Sequence, residues 1–103
     1  MDPAAGPGYS AASLAQVRVP VLVIGSEDND FLPFVQHAGR YAALLPKASV
    51  ITLRSGEGHF VYLNACTSDL LASGVPLCID RTGVDREAVH ARLAPQILAV
   101  LIG

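Results

Sequence analysis

Two stretches carry residue types that could do chemistry together: the histidine loop Ser55-Gly56-Glu57-Gly58-His59-Phe60 and the acidic loop Ser26-Glu27-Asp28-Asn29-Asp30. A carboxylate can hold an imidazole in one tautomer and stabilise the imidazolium. The other ring nitrogen is then left to take and return a proton. Each stretch follows an apolar run. Val19-Pro20-Val21-Leu22-Val23-Ile24-Gly25 precedes the acids, and Ala48-Ser49-Val50-Ile51-Thr52-Leu53 precedes the histidine. Both runs have the length and β-branched content of buried strands. If the two strands are parallel, both loops leave the sheet at its carboxyl edge, where sites of open α/β sheets collect. Asp28 or Asp30 would then lie beside His59. Gly56 and Gly58 allow the sharp turn that the second loop needs.

Other groups are weighed against blander roles. Gly8-Tyr9-Ser10-Ala11-Ala12 has the Gly-x-Ser-x-small shape of a nucleophile elbow, but an elbow needs a buried strand immediately before it. Met1-Asp2-Pro3-Ala4-Ala5-Gly6-Pro7 cannot make one, so Ser10 reads as a loop serine. A metal site of Asp28, Asp30, Glu57 and His59 is feasible in geometry, yet nothing in the spacing demands it. No metal and no cofactor is therefore expected. His37 reads as a solvated helix residue and His90 as structural.

The elements that position the two loops follow from the pattern. Met1 to Ser13 is rich in Ala, Gly, Pro and Ser and reads as a flexible leader. Ser13 could cap a turn at Leu14-Ala15-Gln16-Val17. Phe34, Ala38, Tyr41, Ala42 and Leu45 follow helical spacing. They predict a helix from about Phe34 to Leu45, opened by Pro33 and stopped by Pro46. Strand, helix, strand makes a βαβ unit with a right-handed crossover. Beyond His59, Thr67-Ser68-Asp69 offers caps for a short turn at Leu70-Leu71-Ala72 that ends at Ser73-Gly74. Val75 to Arg81 reads as extended. Thr82-Gly83-Val84-Asp85 opens a last helix presenting Val89, Leu93, Ile97, Val100 and Leu101, with a kink expected at Pro95.

Size and composition bound the rest. The 103 residues are 51% hydrophobic and 16% charged, with a net charge of -2, and suit one small domain. The cations are scattered, which argues against nucleic acid or an anionic membrane surface as partner. No apolar stretch is long enough to predict a membrane span. No basic region followed by an apolar one marks a signal peptide, so a cytoplasmic location is the default expectation. Cys66 and Cys78 are too far apart for a Cys-x-x-Cys site. They are either a disulfide closing a short loop or two buried thiols.

Taken together, Val19 to Asp28, then Leu44-Leu45-Pro46, then Gly56-Glu57-Gly58-His59-Phe60 resemble the C-terminal third of an α/β-hydrolase. More narrowly, they resemble its dienelactone-hydrolase-like and platelet-activating-factor-acetylhydrolase-like branch. The likeness covers nearly the whole chain, including the two cysteines and the opening of the last helix. It implies a partial α/β-hydrolase fold: the last two parallel strands, a crossover helix and a C-terminal helix. It also implies a Ser-Asp-His site acting on an ester or acyl substrate. The family pattern places the acid three residues after the strand-ending glycine, at Asp28, and the base at His59. The family's loop proline usually stands four after the acid. Pro33 stands five after Asp28 and three after Asp30, so Asp30 is the alternative acid.

The departures are as informative. The family's serine elbow and its oxyanion-hole amides lie upstream of anything in this sequence. The expectation is an acid-and-base segment that lacks its nucleophile and is inactive alone, since losing a triad member costs on the order of a millionfold in turnover. The alternative is a non-enzymatic small α/β domain, or an interaction module that self-associates through an exposed sheet edge.

Overall fold

The computed structural model describes residues 3–103. The leader reading of Met1 and Asp2 lies outside the described residues. Two compact units make up the chain, Met1–His59 and Phe60–Gly103.

The first unit is built on two parallel strands, β1 (Val21–Ser26) and β2 (Ala48–Leu53), in register from Val21 opposite Ala48 to Ser26 opposite Leu53. Between them run a 3-10 turn, Phe34–Gln36, and the crossover helix, which packs on both strands over Ala38–Leu44. This small mixed α/β arrangement is the expected strand–helix–strand unit. Successive residues of β1 point to opposite faces, and Val23, Ile24, Gly25 and Ser26 are all buried. That is the pattern of a strand covered on both sides. Gly25 is required by close approach: a Cβ there would stand 2.4 Å from the Ala38 Cβ and 3.0 Å from the Phe34 ring.

Three details differ from the sequence reading. Ser49 and Val50 of β2 are exposed, and Leu53 is its buried residue. The apolar run forecast a buried strand. Among the described residues, however, no third strand joins the sheet, so β2 lacks a neighbour on its outer edge. The crossover helix is also interrupted: His37 takes φ -119°, ψ -96°, which divides the 3-10 turn from the α-helix. Nor is His37 a freely solvated residue, because it is half-buried and its Nδ1 accepts the Gly6 N–H at 3.2 Å.

That bond belongs to a group of contacts made by the N-terminal residues. Tyr41 Oη donates to the Ala4 carbonyl at 2.8 Å, and the rings of Tyr9 and Tyr41 lie 6.1 Å apart. A Cβ on Gly6 would stand 2.1 Å from the Gln36 carbonyl oxygen. A short helix, α1 (Ala11–Leu14), follows, and its buried Leu14 joins the core. With this helix placed, the crossover helix is α2. Ser10 rather than Ser13 caps α1, its Oγ accepting the Ser13 N–H at 3.1 Å.

The second unit holds α3 (Ser68–Ser73) and α4 (Arg86–Ile102). Their ends are those the sequence announces. Thr67 caps α3 and Gly74 ends it at φ 72°, while Asp85 Oδ1 accepts the N–H groups of Glu87 and Ala88. Cys66 and Cys78 form a disulfide, which settles the choice between bridge and thiols. Part of the stretch read as extended is a 3-10 turn, Pro76–Cys78. α4 continues through Pro95. Val89 and Leu93 are buried and Ile97 is half-buried, but Val100 and Leu101 of the forecast face are exposed, as are Leu98 and Ile102. His90 is structural: its Nε2 lies 2.7 Å from the Val61 carbonyl oxygen.

Candidate functional site

The parallel pairing of β1 and β2 brings the acidic loop and the histidine loop to one edge of the sheet. The ladder runs past the strands, with Glu27 N donating to the Leu53 carbonyl at 2.9 Å. Beyond that bond each chain turns on its own local device. In the first loop Asn29 N donates to Ser26 O at 3.2 Å. The Asn29 side chain then accepts from Phe31 N at 2.8 Å and Leu32 N at 2.6 Å. This is an Asx-type turn in which a short polar side chain stands in for a backbone acceptor. Asp28 and Asp30 flank Asn29 and are both exposed.

In the second loop Gly56 adopts φ 86°, a conformation costly for any residue with a Cβ. Glu57 folds inward, 2% exposed, and its Oε1 accepts the Ser55 N–H at 2.6 Å. A carboxyl group with so little exposure needs hydrogen bonds to offset its lost hydration, and the tight turn provides a donor. Across the loop mouth Glu27 and Arg54 stand 4.0 Å apart with mostly exposed side chains, so that pair contributes little.

The loops meet at His59. Asp30 Oδ1 accepts the His59 backbone N–H at 2.9 Å. Gly58 lies against the same carboxylate: a Cβ there would stand 2.9 Å from Asp30 Oδ1 and 3.2 Å from its Cγ and Oδ2. Gly56 therefore serves the turn and Gly58 serves the approach of Asp30. The Phe31 ring lies 6.0 Å from the imidazole of His59, tilted by 43°.

His59 and Asp30 are thus in direct contact, and Asp28 belongs to the same loop. Ser10 stands after a 3-10 turn rather than a strand, with its hydroxyl oxygen occupied in capping α1. Among the described residues no three of His, Cys, Asp and Glu come together as a metal site. No described helix is long and apolar enough to cross a membrane. An apolar cavity of about 230 Å³ lies beside Val21, Leu22 and Val23, at the end of β1 opposite His59.

Asn29 and Phe31 were not singled out from the sequence. The Asn29 turn had a legible signal, a short amide just before a proline-terminated loop. The Phe31 contact had none. The chain matches no family model, no curated protein and no solved structure.

Proposed function

We propose that this chain carries the acid and base of a serine hydrolase acting on ester or similar acyl bonds. The nucleophile comes from outside these residues. One observation carries the reading: the hydrogen bond from His59 N to Asp30 Oδ1, which ties the histidine loop to the acidic loop at one sheet edge. In this reading His59 is the general base. Asp28 is the carboxylate that orients its ring, as the resemblance to α/β-hydrolases implies, and Asp30 is the alternative acid. The small parallel α/β unit is compatible with a partial hydrolase fold.

The test is hydrolysis of a chromogenic short-chain ester by the chain and by His59→Ala. Neither should turn the ester over. Turnover abolished by His59→Ala would place the nucleophile within these residues, with Ser10 the first candidate. Turnover untouched by His59→Ala would overturn the assignment of the base.

A second reading rests on a separate observation. Among the described residues the sheet has two strands, so each keeps an outer edge with no neighbour. Exposed edges invite pairing with other chains. An interaction module that self-associates through this edge would elute earlier in size-exclusion chromatography as concentration rises. A concentration-independent monomer would contradict it.

A further inference from the structure

We infer that Asp30 and Phe31 form a positioning clamp for His59, one that acts on the backbone and the ring face of the histidine. Asp30 works as a hydrogen-bond acceptor, not as the charge that orients the imidazole. The inference rests on reading His59 as the base and adds residues that set its aim.

Three observations converge. Asp30 Oδ1 takes the His59 backbone N–H at 2.9 Å, so the carboxylate fixes where the residue leaves the loop. Gly58 lacks the atom that would otherwise stand 2.9 Å from that same oxygen. The next residue along the acidic loop, Phe31, brings its ring 6.0 Å from the imidazole at a tilt of 43°, a separation typical of interacting rings. Consecutive residues thus hold the main chain and the side chain of one histidine. The Asn29 side chain fixes the backbone of the clamp by accepting from Phe31 N and Leu32 N. From the other side Glu57 closes the turn before His59 through Ser55 N. Both ends of the short histidine loop are therefore held by carboxylate-to-backbone bonds. A general base must be presented within hydrogen-bond reach of its proton, and such bonds limit its wandering.

An acceptor and a charge predict different behaviour on substitution. Asparagine keeps an oxygen acceptor at the same position and loses the charge, whereas alanine loses both. Amide hydrogen exchange on the full chain reads the bond itself. Asp30→Ala should speed exchange of the His59 amide about tenfold, the loss expected for one hydrogen bond, while Asp30→Asn should keep it near the unsubstituted rate. The ring signals of His59 should change in Asp30→Ala and Phe31→Ala and recover in Asp30→Asn. Those of His37 and His90 should stay fixed, which a general loss of stability would not allow. If Asp30→Ala does not fold, Gly58→Ala tests the same contact, because its Cβ must displace the carboxylate and so speed exchange at His59.

Unchanged exchange in Asp30→Ala, or in Gly58→Ala if that is the variant available, would overturn the clamp. So would Asp30→Asn behaving like Asp30→Ala, which would return Asp30 to the role of charged acid. These readouts need no turnover, so failure of the clamp and failure of the hydrolase reading are distinguishable.

Discussion

Arg86 places its Nε 2.7 Å from Asp80 Oδ2, with 5% of the arginine side chain and 16% of the aspartate side chain exposed. The same guanidinium donates to the carbonyls of Leu77 and Asn64. One cation therefore joins the start of α4 to both ends of the segment that the disulfide closes. Removing one partner of a buried pair leaves the other uncompensated, which costs several kcal/mol. Arg86→Ala should destabilise the second unit by about 3 kcal/mol, read by chemical denaturation followed at residues of α4. A change of under about 0.5 kcal/mol, the size of an ordinary surface substitution, would contradict this role.

The disulfide and Arg86 constrain the same stretch of chain. Cys66 and Cys78 are 12 positions apart, and closing such a loop stabilises by about 3 kcal/mol in the chain-entropy model. Reduction with a dithiol should therefore lower the melting temperature of the second unit. Because both links hold one segment, the losses from Arg86→Ala and from Cys66→Ser with Cys78→Ser should not add. A double-mutant cycle with simple additivity would show that they act on separate elements.

Gly25 lets β1 and α2 approach. Gly25→Ala should cost about 1–3 kcal/mol by overpacking, since its Cβ would fall 2.4 Å from that of Ala38. Gly8→Ala is the control: nothing lies within 4 Å of its Cβ position, and the variant should melt with the parent. Thermal melts of the two variants decide the point.

Docking of the N-terminal residues should be sensitive to alkali. Burial, with Tyr9 beside it and Arg40 opposing, raises the Tyr41 phenol above its ordinary value. A raised value in the folded state means that the contribution is fully present below the unfolded value, about 10, and is lost as pH rises through the folded one. The chemistry agrees, because Tyr41 Oη donates to the Ala4 carbonyl and a phenolate cannot. Carbonyl carbon signals of Ala4 to Gly8 should therefore shift together above about pH 10. Tyr41→Phe should remove that step, and an identical alkaline step in this variant would contradict the assignment.

The elements legible in the sequence are those that local chemistry specifies. Thr67, Gly74 and Asp85 end their helices as capping residues do, and the two apolar runs pair in parallel around a crossover helix. What escaped depends on contacts distant in sequence. His37 breaks its helix and accepts from Gly6, 31 residues away, a pairing that helical spacing cannot announce. Arg86 looks like one more scattered cation until the fold sets it against the Asn64 carbonyl, 22 residues away. At the site, Gly58 looks like a turn residue, and the carboxylate that a side chain there would have to displace arrives from position 30. The exposure of Val50 likewise follows from what lies beside the sheet rather than from its own run.

If His59 is the base proposed above, a carboxylate of the acidic loop orients its imidazole. Nitrogen-15 spectra of the histidine rings, recorded across pH for the chain, Asp28→Asn and Asp30→Asn, test it most directly. His59 should then show one dominant tautomer, with Nδ1 carrying the proton. Asp28→Asn should change its ring signals, and Asp30→Asn should leave them nearly as they were. Ring signals of His59 that are the same in all three proteins would contradict it.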